Sequence, residues 1–173
     1  MFSALKTRLV GDPSICRADP KLSRQSSWEI TSRNRNVFLK ALLRGVPEGS
    51  TLHLDGVVDP TKLHQLPTSW CQHRRGGLLR SEVFHITVNS SSLPALEALV
   101  DSVRIEKEWN HLALFRGTEL FLEAYDFMDP CTFVCGHSLD AQIEELRKSG
   151  AIEASWYDCD TGTYRDSPES ASS

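Results

Sequence analysis

The spacing of apolar residues changes three times along the chain, from every second residue to every third or fourth residue. This change constrains the fold more than any other feature. Two-residue spacing is typical of a half-buried strand, and spacing of three and four residues is typical of an amphipathic helix. The strand patterns, each followed by a helix pattern, are 28–31, 84–88 and 132–135. We therefore predict an α+β fold: a mixed or mostly antiparallel sheet with helices packed on it, built from three strand-helix units and a central β-hairpin.

The central hairpin is predicted over 111–127, about the turn Arg116-Gly117-Thr118. Glycine at the first central position suits a type II′ turn, which would place Arg116 opposite Glu119. With uninterrupted alternation, one face carries Ala113, Phe115, Leu120 and Leu122, and the other carries Leu112, Leu114 and Phe121. Because both faces are apolar, we expect the hairpin inside the sheet, or covered by helices on one side and by a partner on the other.

Two segments of the chain resemble each other. Trp28-Glu-Ile-Thr matches Phe84-His-Ile-Thr, and the helix patterns that follow match at almost the same offset. This similarity predicts an internal duplication of 28–58 and 84–116. The alternative is that two amphipathic units drawn from the same few residue types look alike without common origin.

One domain is expected, because 173 residues is close to the usual size of a single folding unit. We place this domain at 27–160, between a loosely ordered arm at 1–26 and a disordered tail at 161–173. Residues 67–80 interrupt the strand and helix patterns and are predicted to form an irregular connection.

Membrane and secretory signals are missing from the sequence. No apolar run approaches the roughly 18 residues that a membrane span needs, and no apolar core of a signal peptide follows Lys6 and Arg8. The number of cysteines, five, is odd, and their spacing does not match a disulfide framework, which favours free thiols in a reducing compartment. We therefore expect a cytoplasmic protein with no membrane partner.

Charge is distributed unevenly along the chain. Residues 1–80 hold 13 Lys and Arg against 6 Asp and Glu, and residues 81–173 hold 6 against 17. An acidic half of this kind predicts contact with a basic protein. Its candidate partner-binding residues are Glu119, Glu123, Asp126, Asp129, Asp158 and Asp160. The alternative is that the two halves neutralise each other in one folded domain.

The first functional hypothesis is thus a non-enzymatic protein-binding module, for which toxin neutralisation of the immunity type is one concrete version. The second is a small enzyme with a dispersed active site that uses His85, His111 or His137 with carboxylates on adjacent strands. The third is weak nucleic-acid binding through 70–80, which is basic and contains Trp70. An isoelectric point near 5.9 argues against this third role, because nucleic-acid binders carry a broad basic surface.

Motifs for metals and cofactors are incomplete. Cys131, Cys135 and His137 have a spacing that zinc could use, but residues four apart on a strand lie about 13 Å from each other. The same distance argues against a shared metal between Glu119 and Glu123, which uninterrupted alternation places on one side of a strand. Glycine-rich nucleotide motifs do not occur. The sequence therefore predicts no catalytic residue, no metal ligand and no cofactor.

Overall fold

A nine-stranded antiparallel sheet organises the part of the chain that the structure, a computed structural model, describes, namely 26–75, 82–125, 128 and 132–168. The strands in chain order are β1 Ser27–Ser32, β2 Ser50–Val57, β3 Cys71–Arg75, β4 Glu82–Val88, β5 Trp109–Arg116, β6 Glu119–Ala124, β7 Thr132–Cys135, β8 Ile152–Asp158 and β9 Thr163–Arg165. Across the sheet their order is β3-β4-β2-β5-β6-β7-β1-β8-β9. The prediction of an α+β fold with helices and an antiparallel sheet is confirmed.

Helices fill the connections between several of these strands. They are α1 Arg35–Gly45, α2 Leu93–Ser102, α3 Ile105–Glu108 and α4 Asp140–Lys148, with a 3-10 helix at Leu63–Gln65. The Asn34 side chain accepts a hydrogen bond from the Val37 backbone N–H and so satisfies one donor at the start of α1. Helix α1 contacts each of the other three α-helices. Among the described residues, no helix combines the length and the apolar character needed to cross a membrane.

Helix α2 connects two strands that lie on either side of β2. Strands β4 and β5 are each antiparallel to β2, so they are parallel to each other. Parallel strands cannot be joined by a tight hairpin and need a crossover, which α2 provides. Helix α4 joins β7 to β8 across β1 in the same way. The topology therefore places side by side residues of β2, β4 and β5 that are distant in sequence, while the internal duplication stays a prediction.

The two faces of the sheet differ in their cover. Trp28, Leu54 and Phe84 belong to the main core, together with Phe38 and Leu42 of α1. Alternate strand residues point to the opposite face. That face carries a smaller apolar cluster of Ala113, Leu120, Phe133 and Cys135. The β5–β6 hairpin thus lies inside the sheet, between β2 and β7, and is buried on both faces.

Strand β6 contains a bulge that alternation alone does not predict. Leu114 pairs with Leu122, whereas the next residue, Phe115, pairs with Leu120, which leaves Phe121 as an extra residue. Leu122 therefore lies in the main core and not on the face predicted for it. The residue that follows, Glu123, points to the opposite face, away from the helices.

The segment predicted to be irregular, 67–80, contains strand β3. Cys71–Arg75 pairs antiparallel with β4, and His73 lies opposite Phe84. The prediction is therefore wrong for 71–75. An edge strand has a neighbour on one side only, so it tolerates the charged and polar residues that hid it from the hydrophobic pattern. Residues 76–81 lie outside the described residues.

The structure continues past the predicted domain boundary at 160. Strand β9, Thr163–Arg165, pairs with β8 beyond it. Leu139 takes the N-cap position of α4 and provides no side-chain hydrogen bond there. The predictions for 1–25 and for 169–173 fall outside the described residues.

Gly117 allows the hairpin turn to be tested. Its φ is +59°, whereas φ of Thr118 is not positive, in agreement with the predicted type II′ turn. An added Cβ would meet no atom within 4 Å, so Gly117→Ala should cost only the penalty of a positive φ, about 1–3 kcal/mol. Urea denaturation should show this loss of unfolding free energy. The control Thr118→Ala should change it by less than about 0.5 kcal/mol, and equal losses in the two variants would contradict the assignment.

Candidate metal centre

The sheet face opposite the helices carries a group of polar side chains that are buried or half-buried. On β2, His53 and Asp55 alternate with Leu52 and Leu54, which belong to the main core, so the two polar residues point away from the helices. Strand pairing adds neighbours on both sides of β2. The group, called here the buried cluster, consists of His53, Asp55, His85, His111, Glu123 and Tyr125.

Three members of the buried cluster converge on one point. His53, Asp55 and His111 each offer one ligand atom, and these atoms all lie within 4.8 Å of one another. His53 is fully buried, His111 is 6% exposed, and Asp55 is half-buried. Gly56 follows Asp55 with a φ of +68°, and a Cβ there would come within 2.9 Å of the Cβ of Asn110. Glycine thus allows β2 and β5 to approach closely beside the three converging side chains.

Each histidine also has a polar neighbour behind it. His53 Nδ1 lies 2.9 Å from His85 Nε2. The His111 ring stacks on Tyr125, with 4.6 Å between the ring centroids, and its Nε2 lies 3.4 Å from Glu123 Oε1. The Tyr125 hydroxyl donates a hydrogen bond to Glu123 Oε1. These neighbours restrict how the two imidazole rings can turn.

Several polar atoms at the convergence point are buried without a hydrogen bond. Asp55 Oδ1 and both ring nitrogens of His111 have no hydrogen-bond partner within the described part of the chain. A buried polar atom left in this state costs about 1–3 kcal/mol. Two imidazoles and one carboxylate form the donor set of many catalytic zinc sites and of the facial triad that binds ferrous iron. A metal ion would satisfy Asp55 Oδ1 and one of the two His111 ring nitrogens, because each residue offers one ligand atom.

The structure separates the three histidines of the dispersed-enzyme hypothesis. His85 and His111 lie in the buried cluster, on strands that flank β2. His137 lies apart, in the turn before α4, where its Nδ1 is 2.9 Å from Asp140 Oδ2. It lines a surface groove of about 700 Å³ together with Trp28 and Arg147. His137 therefore does not belong to the buried cluster, and the catalytic role of the three histidines stays a prediction.

Sequence reasoning missed His53 and Asp55 as site residues. Their alternation with Leu52 and Leu54 showed that they share one face of a strand. By itself, such alternation indicates only the polar side of a half-buried strand. The alternation does not reveal that Asp55 lies opposite His111, because these two paired residues are 56 positions apart in the sequence.

The predicted partner-binding acids occupy different environments. Glu119 is exposed at the β5–β6 turn opposite Arg116, and Asp160 is exposed in the β8–β9 turn. Glu123 is 1% exposed, so its carboxylate belongs to the buried cluster and not to an acidic surface. Its predicted position beside Glu119 on one side of β6 is wrong, because the bulge intervenes. Asp126 and Asp129 lie outside the described residues.

Asp158 is held by its own turn. Desolvation raises the pKa of its carboxyl, but hydrogen bonds from the Asp160 and Thr161 backbone N–H groups and the charge of Arg165 outweigh it, so the pKa lies below its ordinary value. Arg165 Nη2 lies 2.9 Å from Asp158 Oδ2. These contacts join β8 to β9, and the predicted partner-binding role of Asp158 stays a prediction.

The cysteines and the basic segment considered in the sequence analysis do not form a site within the part of the chain that the structure describes. Cys135 is buried on β7, and Cys131 lies outside the described residues. Burial raises the pKa of the Cys71 thiol, which disfavours the reactive thiolate. His73 and Arg74 of the nucleic-acid candidate lie on β3, and binding through 70–80 stays a prediction.

Comparison of the chain with protein-family models, with curated proteins and with solved structures gives no match.

Proposed function

We propose that this protein binds a divalent first-row transition metal ion, zinc or ferrous iron, through His53, Asp55 and His111. The observation that carries the proposal is that Asp55 Oδ1 and the His111 ring nitrogens, one of which lies at the convergence point, are buried without a hydrogen-bond partner in the described chain. A folded core tolerates such atoms where they have a further partner to bind. Imidazole nitrogen and carboxylate oxygen together suit zinc and ferrous iron.

Hydrogen bonding behind the ligands orients the rings for this task. With the Nδ1 proton of His53 donated to His85 Nε2, the lone pair that binds metal is on His53 Nε2. Glu123 Oε1 lies 3.4 Å from His111 Nε2 without forming a hydrogen bond, and this negative charge beside Nε2 favours His111 Nδ1 as the ligand atom. Tyr125 holds that carboxylate by its own hydrogen bond. Such outer partners raise the basicity of imidazole ligands and fix their direction.

Three protein ligands leave at least one coordination position for water or a substrate. Zinc sites of this kind are catalytic, whereas structural zinc sites use four protein ligands. Asp55 is the most exposed of the three ligands, so its side of the cluster is the side from which an ion or a substrate enters. The proposed site thus develops the hypothesis of a dispersed enzyme built on histidines and carboxylates, and the bound ion would activate water there.

Asp55→Asn tests the site, because it keeps the size of the side chain and removes the charged oxygen ligand. Apo-protein prepared with a chelator should regain zinc during calorimetric titration, and Asp55→Asn should bind one ion fewer per chain. We expect the affinity at this site to fall by about 100-fold or more, since even outer partners of metal ligands contribute 10–100-fold. An anaerobic titration with ferrous iron in the same design distinguishes the two ions.

Asp59→Asn provides the matched control. Asp59 is an exposed aspartate four residues further along the chain, and its carboxylate accepts a hydrogen bond from the Thr61 backbone N–H. Its substitution should leave zinc stoichiometry and affinity unchanged. Identical zinc binding by the parent protein, Asp55→Asn and Asp59→Asn would contradict the proposed function.

A further inference from the structure

We infer that the protein has a second metal site, at the edge of the sheet, that binds a zinc-type divalent ion. It consists of His64 from the 3-10 helix, His73 from β3 and Glu82 from the start of β4, called here the edge cluster. One ligand atom from each residue lies within 4.8 Å of the others. His64 Nε2 and His73 Nε2 lie 3.2 Å and 3.1 Å from the same atom, Glu82 Oε2. No residue of the buried cluster takes part, so this site does not depend on the proposed function.

The two imidazoles of the edge cluster are positioned by a buried ring. His73 stacks on Phe84 with 4.7 Å between the ring centroids, and His64 meets the same ring at 5.4 Å in an edge contact. Phe84 is fully buried in the main core. The two imidazoles are nearly perpendicular to each other, at 85°. Because both rings are already held in place, less side-chain freedom is lost when an ion binds.

The edge cluster is open to solvent, unlike the buried cluster. The side chains of His64, His73 and Glu82 are 45%, 30% and 21% exposed. An ion can therefore reach them directly, and water can complete its coordination. Imidazole with carboxylate suits zinc, copper(II) and nickel(II), and affinity for such a set rises from nickel to copper and falls again at zinc.

Binding at the edge cluster would tie three elements together. The 3-10 helix lies in the connection between β2 and β3, and β3 is the outermost strand on its side of the sheet. An ion held by His64, His73 and Glu82 fastens this connection to β3 and β4. Hydrogen exchange of the backbone amides at 58–75 should therefore slow when zinc is added.

Titration of the full chain with zinc alone separates the two sites. In the Asp55→Asn background, which lacks the buried site, we expect one zinc per chain. Adding His64→Ala and His73→Ala should weaken that binding by about 100-fold or more, because two ligands are lost together. Adding His137→Ala, which removes an exposed histidine outside both clusters, should change neither stoichiometry nor affinity.

The outcomes distinguish failure of this inference from failure of the proposed function. The edge site is supported if Asp55→Asn binds zinc and the triple variant Asp55→Asn/His64→Ala/His73→Ala does not. This holds even if Asp55→Asn binds as many ions as the parent protein, a result that would contradict only the proposed function. The edge site is overturned if the triple variant binds zinc as Asp55→Asn does. It is also overturned if Asp55→Asn binds no zinc at millimolar concentration. Should the triple variant not fold, Glu82→Gln in the same background gives the same decision.

Discussion

The His111→Leu variant is expected to be more stable than the parent protein without metal and unable to bind an ion at the buried cluster. His111 is 6% exposed, and both of its ring nitrogens are buried without a hydrogen-bond partner among the described residues. Leucine has a similar size and no polar atom, so the substitution removes an unsatisfied cost of about 1–3 kcal/mol. The neighbouring Glu123 carboxylate keeps the hydrogen bond that it accepts from the Tyr125 hydroxyl. Urea denaturation of chelator-treated proteins should show this gain in the free energy of unfolding.

Zinc should reverse the order of stability of these two proteins. An ion that binds only the folded state stabilises it by about 4.1 kcal/mol when its concentration is 1,000 times the dissociation constant, which exceeds the advantage of His111→Leu. The parent protein gains this amount at the buried site, whereas His111→Leu gains nothing there. Any zinc bound at the edge cluster acts on both proteins equally and cancels in the comparison.

His137→Leu is the matched control for His111→Leu. The His137 side chain is 67% exposed, and its polar contact is with Asp140 at the start of α4. Its substitution should change stability by less than about 0.5 kcal/mol and leave the zinc response intact. A metal-free His111→Leu protein that is less stable than the parent would show that His111 belongs to a satisfied structural network, which contradicts the proposed metal site.

The Trp28→Ala variant is expected to lose about 3–5 kcal/mol of unfolding free energy, which is a large part of the 5–15 kcal/mol typical of whole domains. Trp28 is fully buried on β1, a strand with a neighbour on each side. Its ring meets Trp156 edge-on at 5.5 Å between centroids, and its Nε1 donates a 2.8 Å hydrogen bond to Asp140 Oδ1. Alanine therefore leaves a cavity between β1 and α4 and removes a hydrogen bond to a carboxylate.

Two further variants help to separate the contributions of ring packing and of the Nε1 hydrogen bond to the unfolding free energy lost at Trp28. Trp28→Phe retains most of the buried ring and removes the Nε1 donor, so it should cost about 1.5–3 kcal/mol, the usual value for a hydrogen bond to a charged group. Val37→Ala, at a position that is 42% exposed, should change stability by less than about 0.5 kcal/mol. Urea denaturation followed by circular dichroism measures all three. A loss in Trp28→Ala no larger than in Val37→Ala would contradict the assigned role of this residue in the core.

Local patterns predicted much of the fold because the information lies in neighbouring residues. The alternation at 84–88 marks β4, and the turn chemistry of Gly117 marks the β5–β6 hairpin. Strand β3 was missed because an edge strand is not required to be apolar. The face of Leu122 was missed because the bulge at Phe121 depends on how β6 fits against β5.

The candidate site could be predicted only in fragments. The sequence suggested His85 and His111 as possible catalytic histidines, but it grouped His137 with them and left His53 and Asp55 out. Distances between residues on different strands depend on strand order, which is decided by long-range packing. The same limit applies to the edge cluster, whose three ligands come from a 3-10 helix and two strands.

The sequence by itself determined that the chain forms an α+β fold with the hairpin at Arg116-Gly117-Thr118, and that His53 and Asp55 share the polar face of a strand. Periodicity and turn preference act within a few residues, so they are readable without the fold. Only the tertiary structure decided that β2 lies between β4 and β5. That order is set by how the crossover helix α2 and the sheet bury their apolar faces together, and it brings His53, Asp55 and His111 within reach of one ion.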